Sequence, residues 1–431
     1  MYKEIINQYC EAMKANGHFS GALAVRHKGE VLLSRGYGMA DRGFGISNTD
    51  KTKFRIGSLS KPFTAMAVLQ LEERGRLALE DPVNRFIDGI PGGERITIHH
   101  LLCHMSGLAD FASQPDYWMT TMRLPATLEE TVGRIKALPP EFAPGSAVEY
   151  TNSGYAVLAA IIEKASGLEF ADFLQRNILG PLGMEHTGND DGRKLIPDYA
   201  AGYTVDRDIR RAEFIDMSVA AGAYGMYSSV SDLLLWDRAL GDNSIIGPRG
   251  REKMFTLHNE MCGYDWFYSK EIRNRKERVK WEHFGDVNGF VSHYLRVPEE
   301  ELSVVVLSNF NLTPADRIAR DLAAIVLDGE QPDVEEAQEI RLDEDLLAGL
   351  AGRYRNEQGE LNLFSEGNRL FAALPKMYGV VYNCEIIGTE EVGGKVSLRG
   401  KQADDRFTVR MEEETLIHRD PWGRETTYRK E

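Results

Sequence analysis

An α+β domain followed by a small all-β domain is the fold class predicted by the 431 residues. Three observations predict it. Strand-like runs stand near both ends of residues 1–328, "GALAVRHKGEVLLSRGYG" early and "KWEHFGDVNGFVSHYLRV" with "LSVVVLSN" late, and helical patterns fill the interval. An acidic stretch, "LDGEQPDVEEAQEIRLDEDLL", lacks apolar periodicity until Leu346 and reads as a solvated linker. Beyond it come short alternating runs split by turns, such as "GELNLFSEGNRLFAAL" and "DRFTVRMEEETLIHRD", the pattern of a small sheet or barrel. Strands at both ends with helices between them imply one mainly antiparallel sheet beside a helical cluster. The divisions expected are therefore 1–328, a linker at 329–344, and a β-rich domain at 345–431.

The elements follow in order. In "MYKEIINQYCEAMKANG", Ile5, Ile6, Tyr9, Cys10 and Met13 mark an amphipathic helix, not the long apolar core of a signal peptide. The first hairpin turns at Lys28-Gly29. In "FRIGSLSKPFTAM", Pro62 suits the first turn of a helix, where its missing N–H is not needed. Phe63, Met66, Ala67, Leu69 and Leu71 make that helix largely apolar, and Gly75 can close it. "TLEETVGRIKAL" opens with a capping box from Thr127 to Glu130. "GYAVLAAIIEKASG" reads as a buried helix closed by Gly167, and "PADRIARDLAAIVL" as the helix after the last strands.

Composition excludes some partners. A formal net charge of -15 argues against nucleic acid and anionic membrane. No apolar run reaches membrane-spanning length. Cys10, Cys103, Cys262 and Cys384 are isolated, so neither disulfides nor a zinc site is expected, and a cytoplasmic location fits.

Ser58 and Lys61 share one face at the N-terminus of the apolar helix, where backbone N–H groups favour developing negative charge. A chain of this length holds about one or two Ser-x-x-Lys matches by chance, so placement matters more than the match. A serine hydroxyl needs a base. No Gly-x-Ser-x-Gly elbow occurs, and Lys61 is the nearest candidate if burial holds it partly neutral. Further on, Tyr150, Thr151 and Asn152 precede the buried helix. Tyr150 and Asn152 would point the same way from an extended segment, whereas the plainer reading is a turn capped by Asn152. A second Tyr-x-Asn, Tyr354 with Asn356, lies in what reads as a turn and counts as chance.

Ser58-x-x-Lys61, Tyr150-x-Asn152 and His283-Phe284-Gly285, in that order, resemble the three-motif signature of the serine β-lactamase and penicillin-binding protein superfamily. The resemblance is to the branch with class C β-lactamases, D-alanyl-D-alanine carboxypeptidases, D-aminopeptidases and esterases. It covers roughly residues 18 to 325, and "LLCHMSGLADF", "PLGMEHTG" and "AGAYGMYSSVSDLLLW" are similar in style and order. The tail resembles the lipocalin-like barrels appended to some relatives. The implied fold is a β-lactamase/transpeptidase-like domain, and the implied reaction is acyl transfer without metal or cofactor. Ser58 would attack a carbonyl, while Lys61 and Tyr150 share its proton and pass it to the leaving group. The N–H groups of Ser58 and Asp286 would hold the oxyanion, each worth about a hundredfold to a thousandfold in rate. Asn152 would bridge Lys61 and the substrate amide, and Tyr150 would activate the deacylating water.

His-x-Gly occurs three times. His27-Lys28-Gly29 is a hairpin turn and His186-Thr187-Gly188 follows "LGPLGM" in a loop, whereas His283 leads into a strand, where the family places its motif. Two departures stand out. The family's third motif often begins with lysine, whose fixed charge helps bind a substrate carboxylate. Histidine lacks that fixed charge, which disfavours an efficient β-lactamase and leans the reading toward peptide or ester substrates. Asp286 stands where a small residue is common, so its carboxylate is expected to point away from the oxyanion. His99, His100 and His104 suggest metal ligands, but without His-Glu-x-x-His they read as a structural corner. Phe111, Tyr117, Trp118, Trp266 and Tyr268 suit either a cleft wall or the core. The alternatives are a slow penicillin-binding or sensing module and a true β-lactamase. Oligomeric state is not legible.

Overall fold

The computed structural model describes residues 2–331, 338–375 and 380–431. The first helix, α1 (Tyr2–Ala15), buries Ile6, Tyr9, Cys10 and Met13 along one stripe. β1 (Gly21–His27) and β2 (Glu30–Tyr37) make the expected hairpin. Lys28 and Gly29 take φ values of 49° and 80°, the left-handed pair that a two-residue turn demands. A short 3-10 turn, Gly57–Ser60, leads into α2 (Lys61–Glu73). The Thr127–Glu130 capping box is present. α3 (Asn152–Ser166) is buried along most of its length and ends at Gly167 in the left-handed conformation.

Four strands close the first part: β3 (Phe267–Arg273), β4 (Lys276–Val287), β5 (Phe290–Val297) and β6 (Leu302–Ser308). The helix α4 (Ala315–Asp328) follows them. All join β1 and β2 in one antiparallel sheet of order β3-β4-β5-β6-β1-β2. Strands from the two ends of the first part meet where Leu23 pairs with Val306. Alternation then sorts the side chains. Leu23, Val25, Val304 and Val306 enter the core under α1 and α4, while Ala22, Ala24, Val305 and Leu307 enter the core built on α2 and α3. Both faces are covered, which is why β6 reads "LSVVVLS" without polar alternation.

The second part opens with α5 (Glu344–Leu350), N-capped by Asp343. Eight strands follow: β7 (Gly352–Asn356), β8 (Gly359–Glu366), β9 (Arg369–Pro375), β10 (Val381–Val392), β11 (Lys395–Gly400), β12 (Arg406–Arg410), β13 (Thr415–Arg419) and β14 (Glu425–Lys430). They run in chain order as a barrel closed by β7 against β14, which leaves no open sheet edge. Its core holds Leu361, Leu363, Leu370 and Val409, and takes in Tyr203, Val205, Phe310 and Leu312 from the first part. The second Tyr-x-Asn differs from expectation. Tyr354 is buried on β7, because it belongs to the barrel core, and only Asn356 makes the turn, accepting from the N–H groups of Gln358 and Gly359.

Residues 332–337 of the expected linker, Pro332 among them, lie outside the described residues. Ile340 N–H donates to the Gly388 carbonyl at 2.8 Å. We propose the division 1–328, 329–344 and 345–431 as two domains and a linker. Limited proteolysis should cut first between Asp328 and Asp345, and early cleavage within 287–309 would place the boundary elsewhere.

Candidate active site

Two glycines seat the Ser58 turn against β4. Gly57 has φ +54°, and a Cβ there would stand 2.6 Å from the Asp286 amide nitrogen. A Cβ on Gly285 would meet the Ile56 carbonyl oxygen at 2.1 Å. Only glycine allows that approach. It brings the Asp286 N–H beside the Ser58 turn, at the start of α2.

Lys61 is fully buried. Its Nζ lies 3.0 Å from Ser58 Oγ, 2.9 Å from Asn152 Oδ1 and 3.1 Å from the Ala223 carbonyl. Both the amide oxygen and the carbonyl can only accept. A neutral amine spends its two N–H bonds on them, and its lone pair is left facing the serine hydroxyl. Burial pushes the ammonium down from 10.5 to about 8, opposed by the carboxylates of Asp265 and Asp110. Ser58 Oγ therefore faces an amine that holds its proton less tightly than an ordinary lysine.

Asn152 is held in that orientation by its other end, since its Nδ2 donates to Asp110 Oδ2 at 3.0 Å. Asp110 caps the turn Phe111–Ser113 through the Ala112 N–H, so loop and helix start are tied together. The Tyr150 ring lies 4.6 Å from Lys61 Nζ and 4.5 Å from the ring of His104. The structure thus brings Ser58, Lys61, Tyr150, Asn152 and the Gly285-Asp286 backbone together.

Side chains on β4 alternate. Phe284 packs on the α1/α4 core and Val287 on the α2/α3 core. Asp286 shares the Phe284 face, opposite Gly285 and the Ser58 turn. Its half-buried carboxyl is pushed up to about 7 by burial, and Tyr382 of β10 lies within its electrostatic reach. His283 is 1% exposed. Its Nδ1 donates to the Phe284 carbonyl at 2.8 Å, and its Nε2 lies 2.9 Å from Asp265 Oδ2. Both nitrogens face the protein, so the ring extends no free donor toward a substrate.

Sequence reasoning assigned no role to Asp110, Asp265 or the Ala223 carbonyl. Asp110 stands in "LLCHMSGLADF", where an aspartate before a short turn signals a cap. Asp265 and the Ala223 carbonyl have no local signal, because their partners come from distant segments. Among the described residues no cluster of His, Cys, Asp and Glu has a metal-holding geometry. His99 Nδ1 meets the Tyr264 hydroxyl at 2.9 Å and His100 Nδ1 accepts from the Thr97 N–H. Phe111, Tyr117 and Trp266 are core residues, while Trp118 is 43% exposed.

A family profile described as Beta-lactamase matches residues 6–328. The chain is similar to a penicillin-binding protein of Bacillus subtilis (strain 168), 28% identical over 387 residues, with 84% of this chain and 85% of that protein covered. It is also similar to a teichoic acid D-alanine hydrolase of Staphylococcus aureus (strain MRSA252), 31% identical over 189 residues. That match spans 44% of this chain and 46% of the relative, less than half of either. Among solved structures, the octameric penicillin-binding protein homologue from Pyrococcus abyssi shares the fold, with a TM-score of 0.68 and 24% identity over 99% of both chains.

Proposed function

The chain belongs to the beta-lactamase family, and from that premise we propose that it is a serine acyl-hydrolase acting through an acyl-enzyme on D-aminoacyl amides or esters, and that it binds penicillin. The observation that carries this reading is the Lys61 amine, whose other two contacts are obligate acceptors and whose third is Ser58 Oγ. Ser58 attacks the carbonyl as its proton passes to Lys61. The N–H groups of Ser58 and Asp286 receive the oxyanion. Tyr150, beside Lys61, relays the proton to the leaving group and later takes one from the water that cleaves the acyl-enzyme. Asn152 holds Lys61 and meets the substrate amide, and His283, Phe284 and Gly285 carry the strand along which the substrate lies.

Two observations support the substrate class. The S. aureus relative is named for hydrolysis of D-alanine from teichoic acid. The His283 ring is buried with both nitrogens turned into the protein, so it does not reach the carboxylate that β-lactams carry, a contact worth about 1 kcal/mol when screened and more when partly buried. The test is turnover of D-alanyl and L-alanyl p-nitroanilides and of short D-alanyl esters, run beside benzylpenicillin. D-substrates should exceed their L-enantiomers by about tenfold or more, with penicillin acylating slowly. Penicillin hydrolysis on the order of 10² to 10³ per second would overturn the substrate assignment.

A further inference from the structure

Behind the proposed catalytic groups lies a second, fully enclosed set of polar side chains. Asp265 and His104 are 0% exposed and His283 is 1% exposed. Asp265 Oδ1 accepts from His104 Nε2 at 2.8 Å, and its Oδ2 lies 2.9 Å from His283 Nε2. The His104 tautomer follows from its other nitrogen. Thr151 N–H, which can only donate, points at Nδ1 at 3.3 Å, so the ring proton must sit on Nε2, toward Asp265. A buried carboxylate is costly unless it is paired, and this one also occupies the left-handed region, at φ 58°. Three segments are tied to this one group, two directly and that of Tyr150 through His104. One carries Tyr150 and Thr151, one carries the loop of His104, and one carries the His283 to Asp286 strand.

We propose that Asp265 is a positioning residue, whose carboxylate spans His104 and His283 and thereby holds Tyr150 and the oxyanion strand in register around Ser58. The inference rests on the serine-hydrolase reading above. His104 transmits the constraint in two ways, by packing its ring against that of Tyr150 and by anchoring the backbone N–H of Thr151. His283 transmits it to β4, two residues before the Gly285 that admits the Ser58 turn. The bridge also bears on Lys61. Of the charges that favour its ammonium form, Asp265 comes first and Asp110 second. The other titratable groups facing Asp265 are Tyr155 on α3 and Cys262 on its own loop, and burial raises both well above their ordinary values, so they stay neutral. Asp265 itself is held below the usual carboxylate range by the two histidines, against the opposing effect of burial.

Asp265→Asn separates charge from shape. The amide oxygen still accepts from His104 and the shape is kept, while the charge is removed and an N–H donor replaces the oxygen that faces His283. With p-nitrophenyl acetate and the full chain, kcat/KM should fall about tenfold or more at its optimum. Without the carboxylate the Lys61 amine loses its proton more readily, so the acid limb of the pH profile should move to lower pH by about one unit. Asp265→Glu keeps the charge but lengthens the bridge, so its rate should fall while its limb stays. Wild-type kcat/KM with an unmoved limb in D265N would overturn the proposal, and leave the serine mechanism to stand or fall on Ser58. In the wild-type protein, ¹⁵N-histidine NMR should find His104 locked as the Nε2–H tautomer. A ring protonated on Nδ1 alone would break the bridge independently of any variant.

Discussion

Ser58→Ala should reduce turnover of every substrate by a factor on the order of 10⁴ or more, while the protein keeps its fold. Ser58 Oγ touches Lys61, and no strand pairing or core contact depends on it. The proposed oxyanion donors stay in place, since both are backbone groups on the Gly57 turn and on β4. What disappears is the atom that forms the covalent bond. Thermal melting beside the kinetic assay checks the first condition, and a melting temperature near wild type is expected. Residual activity within tenfold of wild type would mean that another nucleophile does the chemistry. Ser106 and Ser228, both buried, are the first to examine.

The second large effect joins rate to stability. Lys61→Met should lower kcat/KM by about a thousandfold, the upper part of the range for a positioned base. In the wild type the acid limb should have a midpoint near pH 8, where the buried amine loses its proton. The sign for stability is opposite to that for rate. The folded value of about 8 lies below the ordinary 10.5, so the folded state binds this proton less readily than the unfolded chain. The penalty is fully present below about pH 8, shrinks as pH rises, and is gone above 10.5. A shift of that size corresponds to about 3 kcal/mol, part of which the three hydrogen bonds offset. K61M should therefore be more stable than wild type at pH 7, with the advantage fading by pH 10. A variant that is less stable at pH 7 would show that the hydrogen bonds outweigh desolvation.

The first part of the fold was legible because its signals are local. Lys28-Gly29 demands its turn, Pro62 its helix start, Thr127 and Glu130 their capping box. The run "LSVVVLSN" reads as a strand, whereas the burial of both its faces shows only once α1, α4 and the α2/α3 core pack on it. Closure of the barrel was less legible, since β7 and β14 pair across most of the tail and no short-range pattern marks that pairing. Tyr354 was misplaced for the same reason, being read from its neighbours and not from the core it joins. At the site, Ser58 and Lys61 announce themselves at one-turn spacing, and Tyr150 and Asn152 by position before a helix. The electrostatic frame behind them does not. Asp265 lies far along the chain from His104 and meets it only when the sheet and the helical cluster pack. The direction of Asp286 could be settled only by the register of β4, where Phe284 and Val287 identify the two faces.

Covalent capture at Ser58 tests the central claim most directly. The wild-type chain is incubated with a fluorescent penicillin and, separately, with a fluorophosphonate, and its intact mass is followed by peptide mapping. A single adduct on Ser58 with both reagents, absent from S58A, is the predicted result. No adduct with either reagent, or an adduct on another serine that persists in S58A, would contradict it.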